Sequence, residues 1–330
     1  MTKQDIEMLL DNIVPVDDEN YAFQIRNLIP DNTTTNSLFF TYLKDIHEDK
    51  YIEMRLRQNA FYLTLVILWR LKEYQQYRTL VTTNQVEFLK FKMYDTFKSQ
   101  SYFSNTKNES NLLTALDFSE KAILKLPSSP NVLHLFSQIT SECIEQFNFD
   151  KTKTIKKAKE TIDRAIAITN GQYPKYFATR SRINAKLNYF DKAKEDIRLA
   201  IEKETSNNID YPIRMGEYQN IKIRINYLQN VKKLLDKQEE VIKTFDHLRL
   251  QVIQLLGMLT AVIAFIVSSV QIARNFELND AYKLIIVTTG MCLLLFSCFS
   301  MLFFIRRVRP IQYIIAIFSI LMIFITIITL

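Results

Sequence analysis

The sequence predicts an all-α protein with a water-soluble front and a membrane-embedded tail, and three observations carry that prediction. Apolar residues recur at helical spacing through the first 250 positions. Three long apolar runs then fill the stretch from Val252 to Leu330. Glycine is scarce, with 4 in 330 residues and none before Gly171. A fold of strands and tight turns needs more glycine than this. Phosphate loops of the Walker or Rossmann type also need glycine for close backbone approach, so they are excluded from the first half.

At ~150 residues per domain, this length corresponds to about two domains. The organisation read from the sequence has four parts: an N-terminal helical region over 1–85, helical repeats over 86–210, a connecting helix over 211–251 and a membrane domain over 252–330. In the first part, apolar residues recur at helical spacing, as in Phe61, Leu65, Ile67 and Leu68 followed by Leu71 and Tyr74. Prolines fall at junctions, at positions 30, 127, 130, 174 and 212. The start, Met1 to Glu7, is acidic and lacks a continuous apolar core, so no export signal is expected there.

The second part carries an internal period. Alanines stand seven apart at Ala115 and Ala122, at Ala158 and Ala165, and at Ala193 and Ala200, and isoleucine follows the second alanine each time. The last two pairs begin 35 residues apart, and the first two begin 43 apart, which requires an insertion over 146–154. The clearest unit is YFATRSRINAKLNYFDKAKEDIRLAIEKE, from Tyr176 to Glu204. In it Phe177, Ser181, Phe190, Ala193, Ile197 and Ala200 alternate bulky and small, as close antiparallel helices require.

This stretch resembles the tetratricopeptide repeat, whose period is ~34 residues. The resemblance covers about 86–204. Asn184 departs from it by standing where an aromatic is usual, and a polar loop, Ser99 to Ser110, separates the leading helix of the first unit. What the resemblance implies is an α-solenoid whose first helices line a concave face. On that face the best unit would present Lys175, Ala178, Arg182, Ala185 and Lys186, so Lys175, Arg182 and Lys186 are the candidate contacts for a protein or peptide partner, an acidic one by charge. A solvated basic face is the alternative reading.

Charge is unevenly distributed. Residues 1–50 hold 4 Lys+Arg against 10 Asp+Glu, and residues 51–250 hold 33 against 23. The densest basic run, Lys151 to Lys159, has no interleaved aromatic, which disfavours nucleic acid and favours a solvated helix start.

From Glu217 to Leu256 there is neither proline nor glycine to interrupt the helical pattern. Leu228, Val231, Leu235, Gln238, Ile242, Phe245, Arg249 and Val252 alternate spacings of three and four, the seam of a coiled coil. Two readings stay open: a stalk through which copies self-associate, or a seam that packs on the last repeat of the same chain.

The apolar runs span about 252–273, 284–305 and 311–330. At ~1.5 Å per residue each matches a hydrocarbon layer of ~30 Å. The loop holding Arg306, Arg307 and Arg309 is strongly basic, whereas the preceding loop balances Arg274 and Lys283 against Glu277 and Asp280. Retention of cations on the inner side predicts a cytoplasmic front, an internal arginine loop and an external C-terminus. Usage rich in Lys, Ile and Asn fits an AT-rich bacterial genome and hence an inner membrane; a eukaryotic organelle membrane is the other setting.

Catalytic and cofactor signals are missing. His47, His134 and His247 lie far apart, the three cysteines have no zinc spacing, and no cofactor motif occurs. The expectation is a non-enzymatic, membrane-tethered adaptor that binds a protein or peptide at the cytosolic face and contacts lipid through its tail. In layout alone the chain also resembles membrane-disrupting effectors of bacterial antiphage defence, in which a cytosolic sensor clusters uncharged spans until the membrane leaks.

Overall fold

A computed structural model describes residues 2–30, 33–104, 108–147, 149–206, 210–274, 277–303 and 310–328. Among them every regular element is a helix. The chain divides into two compact units, Met1–Lys232 and Lys233–Leu330.

The first unit opens with α1 (Lys3–Asp11), α2 (Tyr21–Asn27) and α3 (Leu38–Glu48). Thr2 and Asp5 form a reciprocal capping box at the start of α1, and Ser37 caps α3. These helices pack on α4 (Met54–Arg70), which is buried on nearly all sides. Next come α5 (Tyr74–Thr83), the single turn α6 (Gln85–Phe88), α7 (Tyr94–Phe103), α8 (Glu109–Lys125) and α9 (Pro130–Phe147). The unit continues through α10 (Thr152–Ile168), α11 (Pro174–Lys186), α12 (Phe190–Lys203) and the start of α13 (Tyr211–Ala273). Consecutive helices from α7 to α12 pack against one another, and α9 also touches both α7 and α11.

Close approach of these pairs depends on small residues. All six repeat alanines, Ala115, Ala122, Ala158, Ala165, Ala193 and Ala200, are fully buried. With only a methyl group in the way, a serine of the first helix reaches the alanine carbonyl of the second. Ser99 Oγ donates to Ala115 O at 2.7 Å, and Ser137 Oγ donates to Ala158 O at 2.9 Å. Ser99 therefore belongs to α7, which runs on to Phe103; the polar composition of 99–110 had placed it in a loop. Its hydroxyl is satisfied across the helix pair, so polarity there does not signal solvent. In the third pair Phe177 and Ser181 are buried and Phe190 is half-buried.

Asn184, the departure from the repeat pattern, is buried and donates to Asp196 Oδ2 at 2.8 Å. Asp196 also accepts from Arg180 Nη2 at 2.6 Å, so a polar network replaces the aromatic contact. Three helix ends close in the same way, the one after α10 with Asn170 at φ 49° and Gly171 N–H bonded to Ile166 O at 2.9 Å. Lys72 after α4 and Asn188 after α11 adopt φ of 61° and 62°. The following N–H groups bond back five residues, Glu73 to Leu68 O and Tyr189 to Asn184 O, both at 2.9 Å. This is the six-to-one bond of a left-handed helix stop. The α4–α5 turn is thus built like the α11–α12 turn, although no repeat is legible in the sequence upstream of residue 88.

The second unit holds the remainder of α13, then α14 (Leu278–Phe303) and α15 (Pro310–Ile328). α14 and α15 pack together at Gly290, where an added Cβ would sit 2.8 Å from Ile323 Cγ1 and 3.4 Å from Ser319 O. Two helices, within Tyr211–Ile272 and Asp280–Ser297, are long and apolar enough to cross a membrane. In α15 the described apolar stretch is shorter, Tyr313–Ile325, so two candidate spans stand where the sequence predicts three. Arg306, Arg307 and Arg309, on which the orientation rests, lie outside the described residues.

Candidate functional site

A concavity of the first unit has a volume of about 1050 Å³. Its walls come from α2, α4, α5, α7, α9, α11 and α13, and none of its lining residues belongs to α8, α10 or α12. The helices that face it are therefore mostly the first members of the packed pairs.

Six cations line this cavity: Arg26, Arg70, Lys72, Lys175, Arg182 and Arg214. Two are neutralised by the protein itself. Arg182 Nη2 lies 2.7 Å from Glu142 Oε1, and its Nε donates to Glu145 Oε1 at 2.7 Å. Burial opposes its charge, but these two carboxylates outweigh that and hold its pKa above the ordinary arginine value. Arg214 Nη1 lies 3.1 Å from Glu204 Oε1 and its Nη2 3.7 Å from Asp210 Oδ2. The other four, Arg26, Arg70, Lys72 and Lys175, form no ion pair among the described residues.

Their proximity is visible in their electrostatics. Lys175 lines the cavity at the start of α11, with its side chain open to solvent. Loss of bulk solvent, followed by repulsion from Arg26 and Arg214, lowers its pKa to about 7, with Glu204 acting in the opposite sense. Arg70 is likewise lowered, first by burial and then by Arg26. His134 is held well below its usual value by burial, then by Lys175 and Arg26, so it is neutral. Its ring stacks on Tyr176 at 4.5 Å and its Nε2 lies 3.1 Å from Thr179 Oγ1. The carboxylates of the lining, Asp210 and Glu217, come from α13 or the residue before it, so the cations of α2, α4 and α11 stand on a side of the cavity suited to an anion.

Aromatic side chains adjoin these cations. Trp69, the one tryptophan of the sequence, is half-buried beside Arg70 and meets Tyr74 edge-on at 5.0 Å and Tyr77 at 5.6 Å. Thr96 Oγ1 is buried at the cavity wall with no hydrogen-bond partner among the described residues.

The residues singled out from the sequence divide accordingly. Lys175 and Arg182 line the cavity, but only Lys175 lacks an internal carboxylate partner, and Lys186 lies 3.6 Å from Asp150 outside the lining. Ala178 and Ala185, read as groove positions, are buried in one cluster with Tyr218 and Ile225 of α13. An open groove along all of α11 is therefore ruled out, because α13 occupies part of that surface. On α13, Leu228 packs on the same cluster and Val231 is half-buried, whereas Leu235, Ile242 and Phe245 are exposed. Sequence reasoning missed Arg26, Arg70 and Trp69, which come from regions with no repeat signal.

No metal-binding group of three or more His, Cys, Asp or Glu residues occurs among the described residues. Comparison with protein-family models, curated proteins and solved structures gives no match.

Proposed function

We propose that the chain is a membrane-tethered binding protein, a helical-repeat adaptor whose front unit captures an anionic partner at the cytosolic membrane face. The observation that carries this reading is the group of four cations in one cavity that have no ion pair among the described residues. Supporting it, the lining comes largely from alternate helices, as in an α-solenoid whose first helices form the concave face. The tail acts as the anchor. Side chains such as Leu255, Leu256 and Val267 are more than half exposed, and so large an apolar surface needs lipid or a partner around it. α15 serves as a third span, and Arg306, Arg307 and Arg309 hold the second loop inside. The site is read as a binding site, not a catalytic one.

Testing this requires the full chain in lipid nanodiscs, titrated with inorganic tripolyphosphate and with decaglutamate. Binding of either anion, lost in Arg26→Glu and in Lys175→Glu, supports the reading. Binding of neither contradicts it.

A second reading, the membrane-disrupting effector, is favoured by one feature. The helix that lines the cavity with Arg214 and Tyr218 is the helix that continues to Ala273. Clustering of copies through the exposed Leu235, Ile242 and Phe245 would then gather the spans. Rapid loss of membrane potential on expression, dependent on residues 252–330, supports the effector; an intact potential supports the adaptor.

A further inference from the structure

We propose that the anion taken by this cavity is a nucleotide, its phosphates held by Arg26, Arg70 and Lys175 and its base placed against Trp69 and Tyr74. The inference rests on the anion-binding reading above and narrows it to one ligand class.

Charge geometry distinguishes a compact polyanion from an acidic peptide. A peptide laid along α11 would need a ladder of free cations, and Lys175, Arg182 and Lys186 are the only basic residues at the positions read as facing a groove. Arg182 is taken by Glu142 and Glu145, and Lys186 has Asp150 nearby. Ala185, between them, is buried. Free positive charge is concentrated instead where α2, the end of α4 and the start of α11 meet. Phosphate groups bring two or more negative charges into one small volume, and the guanidinium fork matches phosphate oxygens in pairs.

The rest of the cavity fits the rest of such a molecule. Its volume of about 1050 Å³ is just above the ~300–1000 Å³ typical of small-molecule sites, more than phosphates alone would fill. Trp69 directly precedes Arg70 on α4, so an aromatic face and a phosphate ligand come from adjacent positions. Thr96 Oγ1 has no partner among the described residues, and Gln138 also lines the space, so a sugar hydroxyl or a base edge has polar groups to meet. The absence of glycine before Gly171 is no obstacle, because here side chains and not a backbone loop would hold the phosphates.

The test uses the full chain in nanodiscs and calorimetric titration with ATP, GTP, cyclic diadenylate, tripolyphosphate and decaglutamate. At least one nucleotide is expected to bind about tenfold more tightly than tripolyphosphate, the scale of one base stacked on an aromatic. Trp69→Ala and Tyr74→Ala should reduce that advantage while tripolyphosphate binding persists, and Trp69→Phe should retain most of it. If tripolyphosphate or decaglutamate binds and every nucleotide binds no better, the nucleotide inference fails while the anion-binding reading stands. If none of the five binds, both fail.

Discussion

The guanidinium of Arg182 lies 2.7 Å from the carboxylate of Glu142, tying α11 to α9 beside the cavity that holds Lys175. Glu145 completes the arrangement and also has Arg224 3.4 Å away. Arg182→Met would leave two largely buried carboxylates with one partly exposed cation. The expected loss of stability is about 2–3 kcal/mol, below the ~3–5 kcal/mol of a fully buried broken pair. Urea unfolding followed by Trp69 fluorescence measures it. An unchanged midpoint would mean that the pair is solvated and carries no load.

Anion binding by the proposed site should depend on pH through Lys175. In the unliganded protein it is charged below about pH 7 and neutral above. The groups around it are Arg26 on α2, the neutral His134 on α9, Arg214 on α13 and Glu204. An anion favours the charged form, so affinity should fall as pH rises from 6 to 8, with proton uptake on binding. Methoxypyrene trisulfonate is a suitable probe, because its sulfonates stay ionised throughout. Lys175→Gln should flatten the profile. Without ligand the sign reverses for stability: the folded-state pKa lies below the unfolded one, so the penalty is complete below pH 7 and relieved as pH rises past it.

The serine–alanine contacts set the spacing of the pairs. Ala158→Leu forces extra volume into the place where Ser137 Oγ meets the Ala158 carbonyl and should cost about 1–3 kcal/mol. Leu124→Ala, at an exposed position on the neighbouring helix, should change stability by less than ~0.5 kcal/mol. Comparable losses at both positions would show that the alanine spacing has no role in packing.

In the second unit Gly290→Leu should separate α14 from α15, since even a single carbon there meets Ile323. Gly290→Ala requires only a shift of the Ile323 side chain and should be milder. Thermal aggregation of the detergent-solubilised chain ranks the two; equal behaviour would contradict the packing.

Much of the helical architecture was legible in the sequence because alanine periodicity and apolar periodicity each report directly on burial. What was hidden has specific causes. The α4–α5 turn matches the α11–α12 turn, but Lys72 and Asn188 occupy left-handed positions where glycine is the usual marker, so the signal that would have aligned them is missing. Ser99 looked like loop because its partner, the Ala115 carbonyl, is distant in sequence. Lys175 was found from the repeat, whereas Arg26, Arg70 and Trp69 join it only through tertiary packing. Neutralisation of Arg182 was equally invisible, since Glu142 and Glu145 lie on another helix.

The account depends most on a tail that holds the chain in a membrane with its front unit inside. The direct measurement is labelling of intact cells by a membrane-impermeant maleimide, in a chain whose native cysteines are replaced. Tyr51→Cys and Leu278→Cys place single thiols at highly exposed positions, one in the front unit and one at the start of α14. The account predicts that position 278 is labelled from outside while position 51 reacts only after lysis. Labelling of position 51 in intact cells, or recovery of the full chain in the soluble fraction, would contradict it.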